Sequence, residues 1–226
     1  MAATRELAMF PLGSVLFPGM PLPLRVFEPR YVAMLSSVLG TDEQEFGVVL
    51  IERGSEVGGG DVRFGVGTVA RIASVEVGEG LIMLLAIGTD RFEVVRWLEA
   101  DPSPRAEVRG LPPLDLDETT VAALDEAEAL VRATLTRASE FVELPWSPDV
   151  ELSAETSERL WQVAAIAPVG ALDQLTMLRS PTAADLLATL VDETRASAER
   201  FASWPDWPDG PDGPDGPDEP DDDLLG

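Results

Sequence analysis

From residue 5 to about 110, apolar positions recur every second residue or in short runs; from 117 to 203 they recur every third or fourth. The first period belongs to strands and the second to helices. "LAMFPL" is a short apolar run expected to stop at Pro11 and Gly13. In "PLPLRV", Leu22, Leu24 and Val26 alternate with Pro21, Pro23 and Arg25. That is a half-buried strand whose prolines demand a sheet edge. "FEPRYVAML" then starts a helix, with Pro29 at its first position and Tyr31, Met34, Leu35 and Val38 at helical spacing. Glu28 lies where the helix dipole favours negative charge. Runs 46–52, 62–77, 81–88, 91–98 and 105–111 read as further strands, separated by glycine-rich or Asp-Pro turns. With no long helix between them, these runs predict an antiparallel sheet or barrel.

In the second half, Val121, Leu124, Val131, Leu135, Ala138 and Val142 form one helical stripe, which the prolines of "LPWSPD" end. Another helix is expected around Leu160, Ala164 and Ala167, stopping at Pro168 and Gly170, and a short one carries Leu172, Leu175 and Leu178. Ser180-Pro181 reads as an N-cap followed by proline at the first helical position. The last helix is expected to bury Leu187, Leu190, Val191, Ala198 and Phe201. The fold class is α+β, with a β-rich part over 1–113, a helical bundle over 114–203 and a tail over 204–226.

The tail changes the picture of charge. From Pro205 it runs in Pro-Asp-X triplets, and residues 204–226 hold nine acids and no base, so disorder is expected. Three Gly-Pro-Asp triplets are too few for a collagen helix. Such a tail serves solubility, or acts as a partner-binding arm or an intramolecular lid. The whole chain carries a net charge of −25, which disfavours nucleic acid and anionic lipid as partners. Its amino terminus lacks a basic start with an apolar run, and no segment approaches the ~18 apolar residues of a membrane span, so a cytoplasmic location is expected.

Composition also limits chemistry. There is no cysteine and no histidine, and all 16 basic residues are arginine. Thiolate, histidine-base, Schiff-base, Ser-Lys and Walker-lysine mechanisms are therefore excluded. Carboxylate chemistry, a hard-cation site, or no catalysis remains. "GVGTVA" at 65–70 has the spacing of a dinucleotide loop, but its β-branched continuation reads as strand where a helix is required. "GSEVGGGD" at 54–61 reads as a hairpin connection, and the acids of "DLDE" at 115–118 as the charged start of a helix. Asp221–Asp223 lacks the spacing of a calcium loop. Trp97 and Trp161 are expected in the core; Trp146, Trp204 and Trp207 are less easily buried by pattern.

The prolines of the opening stretch punctuate a tight turn at Pro18-Gly19, an edge strand and a helix start. The same stretch, "FPLGSVLFPGMPLPLRVFEPRYVAML", resembles the opening signature of the Lon substrate-binding domain. Phe10 to Leu12, Val15 to Gly19, Pro21-Leu22 and Phe27 to Tyr31 fill that pattern, and "IGTDRFEVVR" is similar to the family's glycine-x-x-arginine-phenylalanine strand. The resemblance covers about residues 5–201 and extends to stand-alone and cereblon-type adaptor forms. It implies a PUA-like β pseudo-barrel joined to helices, used non-catalytically to bind polypeptide substrates or a protein partner. Full Lon enzymes add ATPase and protease modules that 226 residues without lysine do not supply. No catalytic, cofactor-binding or metal-binding residue is nominated. Met20, Tyr31 and Trp146 are the candidate protein-binding residues. Phe17, Pro18, Phe27, Glu28 and Arg30 belong to the family motif and are expected to be structural. Two other classes remain open: a carboxylate- or metal-dependent hydrolase, and an RNA-binding barrel by fold analogy.

Overall fold

The computed structural model describes residues 4–53, 62–78 and 81–203. Six strands, β1 (Thr4–Leu12), β2 (Pro21–Val26), β3 (Glu45–Arg53), β4 (Val62–Gly78), β5 (Leu81–Leu98) and β6 (Arg105–Gly110), surround one early helix, α1 (Pro29–Val38). Four helices follow: α2 (Glu118–Ala138), α3 (Thr156–Ile166), α4 (Ala171–Leu178) and α5 (Ala183–Ala202). The class is α+β, as the change of period predicts. The 54–61 hairpin and the 204–226 tail, with Trp204, Trp207 and Asp221–Asp223, lie outside the described residues.

The sheet is mixed, which corrects the antiparallel expectation: β1 and β3 run parallel, Phe10 opposite Val48. The ten-residue α1 supplies the crossover that parallel neighbours require. Strand order is β2-β5-β4-β3-β1-β6, and a further β5–β6 pairing closes a ring of β5, β4, β3, β1 and β6. β2 pairs only with the first half of β5, Leu24 opposite Leu84, so its two prolines do sit on an edge strand. The expected break between 88 and 91 is absent. β5 runs through it, and the register against β4 shifts between Thr68 and Ala70. A bulge absorbs Thr89 and Asp90 and bends the strand without ending it. Likewise β1 continues through Pro11, which lies opposite Val49, and stops at Leu12. "GVGTVA" lies within β4, as its β-branched residues predict.

Alternation along these strands creates two cores. Leu7, Met9, Val49, Val69, Phe92 and Val108 come from the strands of the closed ring and fill its interior. The opposite faces, including Phe10, Phe46, Val48 and Ala86, join α1 and all four later helices in one continuous apolar cluster. α2 packs chiefly along α5, burying Leu124, Val131 and Leu135 against Leu186, Leu187 and Leu190. Val121 and Val142, assigned by periodicity to the α2 stripe, are exposed; α2 ends four residues before Val142. On α5 the buried face continues through Thr194 and Ser197, while Val191, Ala198 and Phe201 are half-buried at its margin. Its N-cap is Thr182, two residues beyond the predicted Ser180, because the Thr182 hydroxyl accepts from the Asp185 amide at 3.1 Å.

α2 begins at Asp117, within the acidic "DLDE" run. The Asp117 carboxylate accepts from the Thr120 amide at 2.8 Å, and Thr120 Oγ1 accepts from the Asp117 amide at 2.8 Å. The Thr120 amide foremost, and then the Thr120 hydroxyl donating to Oδ1 at 2.9 Å, hold the Asp117 carboxyl below the usual carboxylate range. A depressed native pKa stabilises the fold above the unfolded value, about 3.9, and that contribution disappears as pH falls through the native value. Thermal melting between pH 5 and 2 is therefore expected to show a steeper fall for the wild-type chain than for Asp117→Asn. Parallel curves would remove Asp117 from the acid response.

Candidate functional site

The turn predicted at Pro18-Gly19 forms, and tertiary contacts fix its position. The Met20 amide donates to the Phe17 carbonyl at 3.2 Å, and Gly19 takes φ +72°, the left-handed region where glycine carries no Cβ penalty. The turn is clipped to β5 from both directions: Gly19 N–H donates to Gly88 O, and Gly88 N–H to Met20 O, each at 2.9 Å. Gly88 permits the approach, since a Cβ there would lie 2.3 Å from the Phe17 carbonyl oxygen. Behind it, buried Thr68 donates its hydroxyl to Leu16 O at 2.6 Å. The turn consequently drops Phe17 into the core against Trp161, with ring centroids 6.0 Å apart, and points Met20 toward the helices.

The facing wall comes from the second half of the chain. Arg132 on α2 donates to Pro148 O and, at 3.0 Å, to Val150 O, which pins the loop carrying Trp146. Ser197 on α5 donates to Pro168 O at 2.6 Å and fixes the connection after α3. Phe201, at the end of α5, stacks with Phe141 at 6.4 Å. Between the walls lies a cleft of about 380 Å³, lined by Phe17, Met20 and Leu22 on one side and Trp146, Ile166 and Phe201 on the other. Ser14 and Gln174 supply its polar side chains, and among the described residues no ionisable one lines it. Such a cleft is within the size range of side-chain and ligand pockets, about 300–1,000 Å³. What it offers is removal of apolar surface from water, with two hydrogen-bonding groups to orient a guest.

The predicted binding residues divide. Met20 is 7% exposed, and it and the half-buried Trp146 meet across the cleft although 126 positions separate them in the chain. Tyr31 lies elsewhere and is buried at 3%, its ring stacked on Phe10 at 4.2 Å and covered by the Arg30 guanidinium at 4.5 Å. An aromatic at helical spacing beside Met34 and Leu35 faces the core, so Tyr31 is no surface contact. Of the motif residues, Phe17 lies in the core, Pro18 in the turn, and Glu28 pairs with Arg30 at 3.1 Å. Phe27 departs from its structural expectation and is 58% exposed, because it continues the outward-facing row of Pro21, Pro23 and Arg25.

In the sequence Arg91 stands out only as part of the glycine-x-x-arginine-phenylalanine strand. Its Nη1 donates to Leu178 O and Ser180 O, both at 2.9 Å, and its Nη2 to Pro112 O at 2.8 Å. The guanidinium also lies over the Trp161 ring at 4.8 Å. Among the described residues no carboxylate pairs with it, and burial lowers its pKa. Arg91 therefore ties β5 to the α4–α5 connection and, through Trp161, braces Phe17 below the cleft. A charged residue inside an apolar strand is the signal that could have marked it.

Carboxylates do not assemble comparably. Among the described residues no group of three or more acids is placed to hold a metal ion. Glu107 and Glu155, like Asp117, lie below the usual range through hydrogen bonds, from Thr4 and Arg96 to Glu107 and from Ser157 and backbone amides to Glu155. No described helix is long and apolar enough to cross a membrane.

Comparison with known proteins places this architecture. The sequence model of the ATP-dependent protease La (LON) substrate-binding domain matches residues 6–194. Lon protease of Anaeromyxobacter dehalogenans is 33% identical over 142 residues, 61% of this chain and 16% of that protein. Lon protease of Magnetococcus marinus is 36% identical over 108 residues, 46% of this chain and 13% of that one. The chain thus spans about a sixth or less of the curated relatives it matches. The crystal structure of a Lon N-terminal domain protein from Xanthomonas campestris superposes with a TM-score of 0.60 at 28% identity, covering 83% of this chain and 98% of that one. The N-terminal domain of a Mycobacterium avium complex Lon protease shares the fold at a TM-score of 0.61 and 15% identity, over 84% of this chain and 98% of that one. With the motif, the fold and 189 matched residues in agreement, the chain belongs to the Lon substrate-binding domain family.

Proposed function

We propose that this protein is a non-catalytic polypeptide-binding module of the cytoplasm, and that the cleft between the 15–22 segment and the helices receives a large apolar side chain of an unfolded substrate or protein partner. The observation that carries the reading is the lining: Met20 and Trp146 converge on an apolar cavity without an ionisable side chain. Methionine adapts to varied shapes, and tryptophan contributes large contact area at low entropic cost. A site of this kind selects apolar bulk rather than a defined chemical group. The want of histidine, cysteine and lysine supports a role in binding over one in bond cleavage.

The test is fluorescence anisotropy with labelled, reduced and carboxymethylated lactalbumin, an unfolded acidic chain that a −25 protein does not attract by charge. Met20→Glu places a charge in the cleft, and Trp146→Ala removes one wall. Each is expected to weaken binding about tenfold, the effect of about 1.4 kcal/mol. Urea titration accompanies both, so that a folding defect is recognised. Unchanged affinity in two folded variants would move the binding surface away from this cleft.

A further inference from the structure

The last helix delivers the chain to the cleft. α5 ends at Ala202, and Phe201, one residue earlier, is itself part of the cleft wall. After Ser203 come Trp204-Pro205-Asp206-Trp207-Pro208-Asp209, two indoles within six positions of Phe201. At about 3.3 Å per extended residue, Trp207 reaches roughly 20 Å from Phe201, enough to return across a single cavity. An indole is apolar bulk of the kind that suits the cleft, and the cavity of about 380 Å³ holds one such side chain with its flanking backbone. Charge permits the return. Among the described residues no acid lines the cleft to repel the tail, and the last turn of α5 beside Phe201 carries exposed Arg200 next to exposed Glu199, so the local charge is balanced.

We propose that the 204–209 segment is an intramolecular occupant of the cleft, with Trp204 or Trp207 seated between Met20 and Trp146, so that the chain competes with its own polypeptide substrates. This rests on the cleft being the substrate site. A short tether supplies a local concentration in the millimolar range. Against an indole that would bind alone with a dissociation constant near 1 mM, that suffices to hold the cleft occupied for half the time or more. The expected cost to substrate affinity is roughly two- to tenfold. The contact raises the threshold for binding without abolishing it, and a substrate offering several apolar side chains displaces the tail.

The full chain tests this in two ways. The first compares wild type with Trp204→Ala/Trp207→Ala for anisotropy of labelled carboxymethylated lactalbumin; the double variant is expected to bind roughly two- to tenfold more tightly. Equal or weaker binding by the double variant overturns the proposal. The second uses 5-fluorotryptophan and ¹⁹F NMR, with Trp204→Phe, Trp207→Phe and Trp146→Phe assigning the resonances. A tail resonance away from the position of free 5-fluorotryptophan, returning to it in Met20→Glu, supports docking. Tail resonances at the free position in wild type, or unmoved by Met20→Glu, overturn it. The two readings separate cleanly. If Met20→Glu weakens lactalbumin binding in the background lacking both tail indoles, the cleft is the substrate site whatever the tail does. If the tail resonances respond to Met20→Glu while lactalbumin binding does not, the tail docks in a cleft that substrates do not use.

Discussion

Replacing Arg91 with alanine is expected to lower the unfolding free energy by about 3–5 kcal/mol. The buried carbonyls of Leu178 and Ser180 lose their donor, and with them that of Pro112, an exposed residue. Leaving one buried acceptor unpaired costs about 1–3 kcal/mol; water can reach the Pro112 carbonyl, and partial relaxation keeps the sum below two full penalties. Truncation also removes the guanidinium that covers Trp161. Removing the charge leaves no described carboxylate unpaired and relieves the desolvation that burial imposes on the guanidinium, so the loss comes from the hydrogen bonds and the ring contact. Arg91→Lys is expected to recover less than half of the loss, since an ammonium cannot present a planar fork to carbonyls from two parts of the chain while stacking on a ring. Urea unfolding followed by fluorescence measures both, as a fall in midpoint at constant slope. A loss below about 1 kcal/mol for Arg91→Ala would show that the α4–α5 connection is held to β5 by apolar packing alone.

Gly88→Ala is the second large effect, about 3 kcal/mol or more. A methyl at Gly88 meets the Phe17 carbonyl oxygen at 2.3 Å and the side chain of Leu16 at 3.2 Å. Backbone cannot yield as a flexible side chain does, so either β5 shifts or the 15–20 turn lifts off it. Lifting the turn breaks both hydrogen bonds between Gly88 and the Gly19–Met20 pair, withdraws Phe17 from Trp161 and removes one wall of the cleft. The variant is expected to lose near-UV circular dichroism from Trp161 and polypeptide binding together. Gly110→Ala is the control, because a Cβ there meets nothing within 4 Å. It is expected to change stability by no more than about 0.5 kcal/mol. Equal effects at the two glycines would mean that the close approach of Gly88 to the turn carries no cost of its own.

Much of this molecule is legible in its sequence, wherever one short segment decides its own conformation. The turn at Pro18-Gly19, the edge position of "PLPLRV", the start of α1 at Pro29 and the acidic start of α2 each depend on residues within about four positions of one another. Proline without an N–H and glycine at positive φ act locally, and so does a carboxylate near a helix start. The departures share the opposite property. Gly88-Thr89-Asp90 reads as a turn but lies in a continuous strand, because β4 supplies a bulged partner. The β1–β3 pair is parallel because α1 carries the chain across before β3 begins. Tyr31 is buried because Phe10, 21 positions earlier, offers a ring to stack on.

By itself, the sequence determined the family, the α+β class, the exclusion of thiolate, histidine-base and lysine-dependent chemistry, and the conformations that prolines, glycines and caps impose on their neighbours. The tertiary structure alone decided that Met20 and Trp146 share a cleft, that Arg91 serves as a tie between strand and helices, and that Phe201 lines the same cleft. Local conformation depends on short-range sterics and hydrogen bonds, which a few consecutive residues contain. The cleft depends on which surfaces meet when one apolar cluster is buried, and that is a property of the whole chain at once.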